Sequence, residues 1–245
     1  RNSLRHKFQS YNPEPAAIPF RTRLLGKDRM ALFSFIHSLN TNFGTSIFEP
    51  VAKALASSTF ASAESQQIAG NQISSEAQRV IQNIMDRLTV ATSSPNKIEE
   101  INAIRAVCQA GEMKTVKPTK VDIKLVGYDG TIYLIDLKTA KPNAGGFKEF
   151  KRTLLEWVAT TLAANPTANV QTIIAIPYNP YEPQPYNRWT MRGMLDLDNE
   201  LKVAAEFWDF LGGQGAYTDL LEIFERIGLE LRPEIDAYFA RYNRQ

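Results

Sequence analysis

In KVDIKLVGYDGTIYLIDLKTAKPN, residues 120–143, three groups interrupt two runs otherwise rich in Val, Ile, Leu and Tyr: Asp122, Asp136 and Lys138. Two carboxylates and an ammonium are the parts needed to hold a divalent cation and to manage a water molecule beside it, provided that they converge. Convergence turns on the register of one hairpin, because paired residues share a sheet face and a one-residue slip reverses it. A two-residue turn at Asp129-Gly130 sets Asp122 opposite Leu137 and sends the acids to opposite faces. A three-residue loop, Tyr128-Asp129-Gly130 with Gly130 left-handed, sets Asp122 opposite Asp136 and Lys120 opposite Lys138.

The apolar pattern selects the longer loop. Val121, Ile123 and Leu125 then share a face with Tyr133, Ile135 and Leu137, while Lys120, Asp122, Lys124, Asp136 and Lys138 gather on the other. The two acids stand with Cβ atoms about 4.5–5.5 Å apart. Like charges that close raise each other's pKa unless a cation intervenes. That cation is either a neighbouring lysine, in a surface ion-pair ladder, or a hard ion such as Mg²⁺.

The elements that must position these groups follow from periodicity. Residues 1–27, rich in proline and basic side chains, are expected to form an extended arm. Asp28 caps a helix beginning RMALFSFIHSL, TSIFEPVAKALASS gives a second, residues 63–90 a third, and SPNKIEEINAIRAVCQA a fourth behind Ser94 and Pro95. The period then changes from 3.6 to 2 at the hairpin. A helix, FKEFKRTLLEWVATTLAAN, and a β-branched strand, VQTIIAIPYN, follow it. DLDNELKVAAEFWDFLGG and AYTDLLEIFERIG, running on through PEIDAYFARYN, are expected as closing helices, with Gly212-Gly213 and Gly228 as stops. The expected fold class is α/β, a mixed central sheet flanked by helices with helical N- and C-terminal additions. All 245 residues are expected to form one domain: arm 1–27, helical part 28–110, core 111–195 and helical part 196–245.

Composition narrows the chemistry. The chain has one cysteine, Cys108, and two histidines, His6 and His37, so a zinc site or a His-based triad has almost no ligands. The lone cysteine suits a reducing cytoplasm. The first residues, RNSLRHKFQSYNPEP, do not read as a secretory signal, and no run of about 18 apolar residues suggests a membrane span. Net charge is only +2, yet residues 1–60 carry eight Lys/Arg against three Asp/Glu and residues 196–245 carry five against eleven. Such asymmetry is either ordinary solvated surface or a cationic front for a polyanion.

Asp122, thirteen residues, then Asp136-Leu137-Lys138 resembles the PD-(D/E)XK nuclease core, although the usual proline is displaced to Pro118. DLKTAKPNAGGFKEFKRTLLEW, the β-branched strand and EFWDFLGGQGAYTDLLEIFERIG together resemble type II restriction endonucleases, most of all those cutting GG-N-CC-type sites. The resemblance spans roughly residues 95–230. It implies a Mg²⁺-dependent double-strand DNA endonuclease that leaves 5′-phosphates, acts as a homodimer on a palindrome and is paired with a DNA methyltransferase. Asp122 and Asp136, joined by the Leu137 carbonyl, would ligate the metal, and Lys138 would manage the water. An upstream helix glutamate joins the site in many members. Glu100 is chosen here over Glu99, because it borders the inward stripe expected from Ile98, Ile101, Ile104 and Cys108.

DNA contacts are expected from Lys141 and Asn143 in the loop after the second strand, and from Lys148, Lys151 and Arg152 on one helix face. Asn187, Arg188 and Arg192, around a proline-tyrosine loop, are expected to read bases. The basic arm, with Arg21, Arg23 and Lys27, serves either DNA or a second subunit. Rival readings are a structure-selective repair nuclease, a non-catalytic DNA-binding domain, and an adaptor whose hairpin charges are only a surface ladder.

Overall fold

In chain order, helices α1 (Asn2–Ser10), α2 (Pro19–Leu25) and α3 (Lys27–Phe43) lead through a π-helical turn (Gly44–Phe48) into α4 (Glu49–Ala56). Strands β1 (Ser62–Ile68) and β2 (Gln72–Ser74), helices α5 (Ser75–Thr89) and α6 (Lys97–Arg105), and β3 (Met113–Thr115) precede the hairpin of β4 (Lys120–Val126) and β5 (Ile132–Leu137). Helix α7 (Phe147–Ala164) carries the chain to β6 (Val170–Ile176), followed by β7 (Leu201–Val203), α8 (Ala205–Gly212) and α9 (Ala216–Ala240). This computed structural model describes residues 2–11, 19–138, 146–186 and 191–240. No described helix is long and apolar enough to cross a membrane.

The chain divides into two compact units, residues 1–48 with 217–245, and residues 49–216. The first is helical. Tyr11 bonds through its hydroxyl to Ser34, and Phe35 packs between Tyr11 and Tyr238, with ring centroids 5.6 and 5.0 Å away. Residues 2–10 and 19–25 are therefore helical where an extended arm was expected. Pro19 occupies the first position of α2, where its missing N–H costs nothing, so the proline that suggested an arm instead starts a helix. Helix α9 also runs unbroken through Gly228 and Pro233, neither of which ends it.

The second unit is built on a five-stranded sheet in the order β1-β4-β5-β6-β7, antiparallel across β1, β4 and β5 and parallel from β5 to β7. Strand β6 is buried on both faces, as a central parallel strand must be. On the face carrying Tyr133, Phe60 and Phe210 close an aromatic cluster, with Phe210 at 5.2 Å and Phe60 at 5.8 Å from the Tyr133 ring. Helix α7 covers the opposite face with Leu154, Leu155, Trp157, Val158 and Leu162, all buried as core.

Three segments expected as helix are strand, among them the short β2, which pairs with β3. SAESQQI has no apolar stripe and only every second residue is half-buried, yet it forms β1 because β4 offers an open edge to pair with. Leu201–Val203 likewise adds β7 beside β6 before α8 begins. Pairing with a distant strand overrides local propensity in each place.

Candidate active site

The hairpin turn decides the site. Gly127 N–H donates to Thr131 O, 2.8 Å, and Gly130 N–H to Gly127 O, 2.9 Å, so residues 128–130 form the loop. Gly130 has φ +82°, a left-handed value for which glycine pays no Cβ penalty. The partners Ile123↔Ile135 and Lys124↔Leu134 fix the three-residue register, and one step on Asp122 faces Asp136. The same arithmetic places Gln66 across from Asp122 on the other side, between Ser65↔Ile123 and Gln67↔Val121. Asp136 in turn pairs with Ile174. One rung of the sheet thus reads Gln66, Asp122, Asp136, Ile174.

Each acid is held in a different way. Leu137 N–H donates to Asp122 Oδ2 at 2.8 Å, and Gln66 Nε2 stands 3.4 Å from Asp122 Oδ1. Asp136 is buried, and Lys138 Nζ lies 2.8 Å from its Oδ2. Burial pushes the Asp136 carboxyl up to about 6; Lys138 opposes that rise, and the charge and hydrogen bond of Asp122 add to it. The Lys138 ammonium also sits over the Phe150 ring, 4.6 Å from its centroid, a contact that α7 supplies.

A third acid approaches from α4. Gln66 Nε2 donates to Glu49 Oε2 at 2.8 Å, so one amide bridges Glu49 and Asp122. Glu49 is buried, and desolvation together with the Asp122 charge raises its pKa. Gln66 itself has φ +56°, a strained value for a residue with a side chain, and such strain collects at functional sites. Neither residue was expected. A signal for Glu49 does exist, since it shares the spacing of the buried Ala52 and Ala56 on α4.

Asp122 and Asp136 offer oxygen donors on neighbouring strands, and a buried carboxyl near neutrality is one that a cation would ionise. That chemistry fits a hard divalent ion. Among the described residues no three His, Cys, Asp or Glu side chains converge on one point, so solvent and substrate oxygens would fill most of its shell.

The sequence profile for "Type II restriction endonuclease, HinfI" matches residues 1–228. The chain belongs to this family. The HinfI family consists of type II restriction endonucleases, so the chain is by class a site-specific deoxyribonuclease. It is similar to the type II restriction enzyme HgiEI of Herpetosiphon aurantiacus, 28% identical over 222 residues that cover 89% of this chain and 79% of that enzyme. HgiBI of the same organism is 26% identical over 245 residues, covering 95% and 87%. MjaII of Methanocaldococcus jannaschii is 26% identical over 210 residues, covering 81% of this chain and 55% of MjaII.

Other residues expected in this HinfI-family site are placed elsewhere. Glu100 does face inward on α6, but its Oε2 accepts from Lys151 Nζ at 2.5 Å and its Oε1 from Asn96 N–H at 3.3 Å. Ile98, expected inward, is exposed, while Lys97 is fully buried. Lys151, expected to track phosphates, is also fully buried, bonded to Glu100 and, at 2.7 Å, to Glu200. Lys97 completes this four-charge cluster through Glu200 Oε1 at 2.9 Å and a short bond to Thr172. Two ammonium and two carboxylate groups balance there, which is the condition for burying any of them. Desolvation lowers the Lys97 pKa and raises that of Glu100, whereas the two lysines hold Glu200 low.

Of the remaining expected contacts, Lys148 and Arg192 are exposed. Arg152 is half-buried and donates to Gln82 at 2.8 Å. Lys141, Asn143, Asn187 and Arg188 lie outside the described residues.

Proposed function

We propose that the chain hydrolyses both strands of DNA at a short, symmetric, GG/CC-containing sequence, in a Mg²⁺-dependent reaction of the PD-(D/E)XK type. The observation that carries this reading is the rung on which Asp122 and Asp136 meet with Lys138 on the second acid, in a chain of the HinfI family. Asp122 and Asp136, with the Leu137 carbonyl, would hold the ion, and Glu49 stands behind Asp122 through Gln66. When bound, the ion supplies positive charge at the scissile phosphate and acidifies nearby water.

This chain's residues do the rest. Lys138, braced between Asp136 and the Phe150 ring, orients the attacking water and offsets the charge that builds on the phosphorane oxygens. The water oxygen bonds to phosphorus as the P–O3′ bond breaks, leaving a 5′-phosphate and a 3′-hydroxyl. The acids keep both the ion and the lysine within reach without moving, because each belongs to a paired strand. Lys148, Arg152 and Arg192, with Lys141, Asn143, Asn187 and Arg188, supply phosphate and base contacts. A symmetric target implies two copies of the chain. In the cell the enzyme would work in the cytoplasm beside a methyltransferase that shields host DNA.

The test is digestion of phage DNA with Mg²⁺ followed by sequencing of the fragment ends. Discrete ends sharing one short palindrome support the reading. Ends without a common sequence, or no cleavage at all, would refute it.

A further inference from the structure

The first unit leaves two helix faces open whose chemistry is complementary. On α2, Phe20 and Leu24 lie one turn apart and are 88% and 82% exposed. Arg21 and Arg23 flank that ridge on either side, so α2 presents an apolar crest between two cations. No residue of α2 is buried. An isolated exposed leucine needs no explanation, but a crest of this kind on an otherwise basic helix does.

Helix α9 offers the matching surface. A cleft of about 600 Å³ is lined there by Glu225, Gly228, Leu229, Arg232, Ile235 and Asp236. These positions recur at three- and four-residue spacing, so they form one stripe. The missing side chain at Gly228 makes the dent, and a Cβ placed there would meet nothing within 4 Å. Apolar Leu229 and Ile235 border it, and Glu225 and Asp236 outweigh the one cation of the lining, Arg232, leaving its charge at −1.

We infer that the two surfaces meet across a two-fold axis: the α2 crest of one copy seats in the α9 cleft of a second copy, and the reverse. Phe20 or Leu24 fills the dent at Gly228, while Arg21 and Arg23 face Glu225 and Asp236. A two-fold axis that seats one crest in one cleft seats the other pair as well, so each copy donates and receives. Opposite charges around a small apolar centre also fix the register of docking. DNA is the other candidate for the arginines of α2, but a phosphate backbone gives Phe20 and Leu24 nothing to bury against. The inference rests on the proposed action at a symmetric target, and it adds the surface by which the copies pair.

The experiment is sedimentation of the full chain and its variants, with circular dichroism to verify folding. Wild type is expected at twice the 27.6 kDa chain mass. Arg21→Glu with Arg23→Glu is expected at the chain mass, and adding Glu225→Arg with Asp236→Arg restores the doubled mass. Gly228→Phe, whose Cβ would meet nothing within 4 Å in the free chain, is also expected at the chain mass. If the Arg21/Arg23 and Gly228 variants keep the doubled mass, this surface is wrong while pairing itself stands. The same holds if the Arg21/Arg23 variant keeps the doubled mass and loses only DNA retention, in which case α2 is a DNA contact. If wild type stays at the chain mass with and without DNA, the surface is wrong and the two-copy reading falls too; cleavage at one defined sequence still tests the chemistry separately.

Discussion

Replacing Lys151 with Met should be among the most damaging single changes in the second unit, although it touches neither proposed metal ligand. Lys151 has no exposed surface, and its ammonium is 2.5 Å from Glu100 and 2.7 Å from Glu200. Removing it turns a balanced set of two cations and two anions into one with a net buried charge of −1. Breaking a buried pair from one side costs about 3–5 kcal/mol. Total stability for a folded domain is about 5–15 kcal/mol. With an m-value of roughly 2–3 kcal/mol/M in urea, the unfolding midpoint should fall by about 1–2.5 M.

Adding Glu100→Gln restores neutrality and should recover most of that loss, so the two substitutions are strongly non-additive. The gap between wild type and Lys151→Met should also narrow on acidification. Burial raises the Glu100 pKa, so the folded protein protonates this group at a pH above the ordinary glutamate value and sheds the unbalanced charge. The assay is urea unfolding of the four proteins at pH 7 and pH 5. A loss below about 1 kcal/mol for Lys151→Met, or simple additivity in the double variant, would refute the argument that these charges are buried as a balanced set.

Further outcomes follow from the site. Asp136→Ala and Lys138→Ala should each lower cleavage by about 10³-fold, and Lys138→Ala, which removes no ligand of the ion, should leave DNA retention in Ca²⁺ intact, measured by plasmid digestion and gel shift. Glu49→Gln should lower cleavage by about 10–100-fold and shift the Mg²⁺ titration to higher concentration, as expected of a group acting behind a ligand; an unchanged titration counts against it. Two lysines hold Glu200 below the ordinary value of 4.5, so its contribution is complete above pH 4.5 and lost as pH falls through its folded value. The stability gap between wild type and Glu200→Gln, followed by urea unfolding, should accordingly close below that pH. Treatment with EDTA should abolish cleavage, and Mg²⁺ should restore it.

The hairpin could be read from sequence because two constraints agree there. An Asp-Gly pair offers only a few turns, and one of them alone keeps Val121, Ile123 and Leu125 on the same face as Tyr133 and Ile135. The inward face of α7 was equally plain from its leucines and Trp157. Lys151 also stands at i+3 from Lys148 and next to Arg152, so spacing alone permits a basic face as well. It belongs with Phe147, Leu154, Leu155 and Val158, the buried stripe of its own helix. Strand β1 is polar, and its pairing partner lies more than fifty residues away, so nothing local marks it as strand. Glu49 and Gln66 were hidden for the same reason: their neighbourhood with Asp122 exists only once β1 has docked on β4.

The turn at residues 128–130 makes loop length a gatekeeper for the whole enzyme. Substituting the exposed Tyr128 leaves the register in place, but deleting or inserting one residue there rotates every later side chain of β5 by half a pleat. Asp136 would be driven among the aromatic rings around Tyr133, and Leu137 would take its place beside Asp122. Drift by single-codon gain or loss is therefore closed to this hairpin, whatever freedom its individual letters retain.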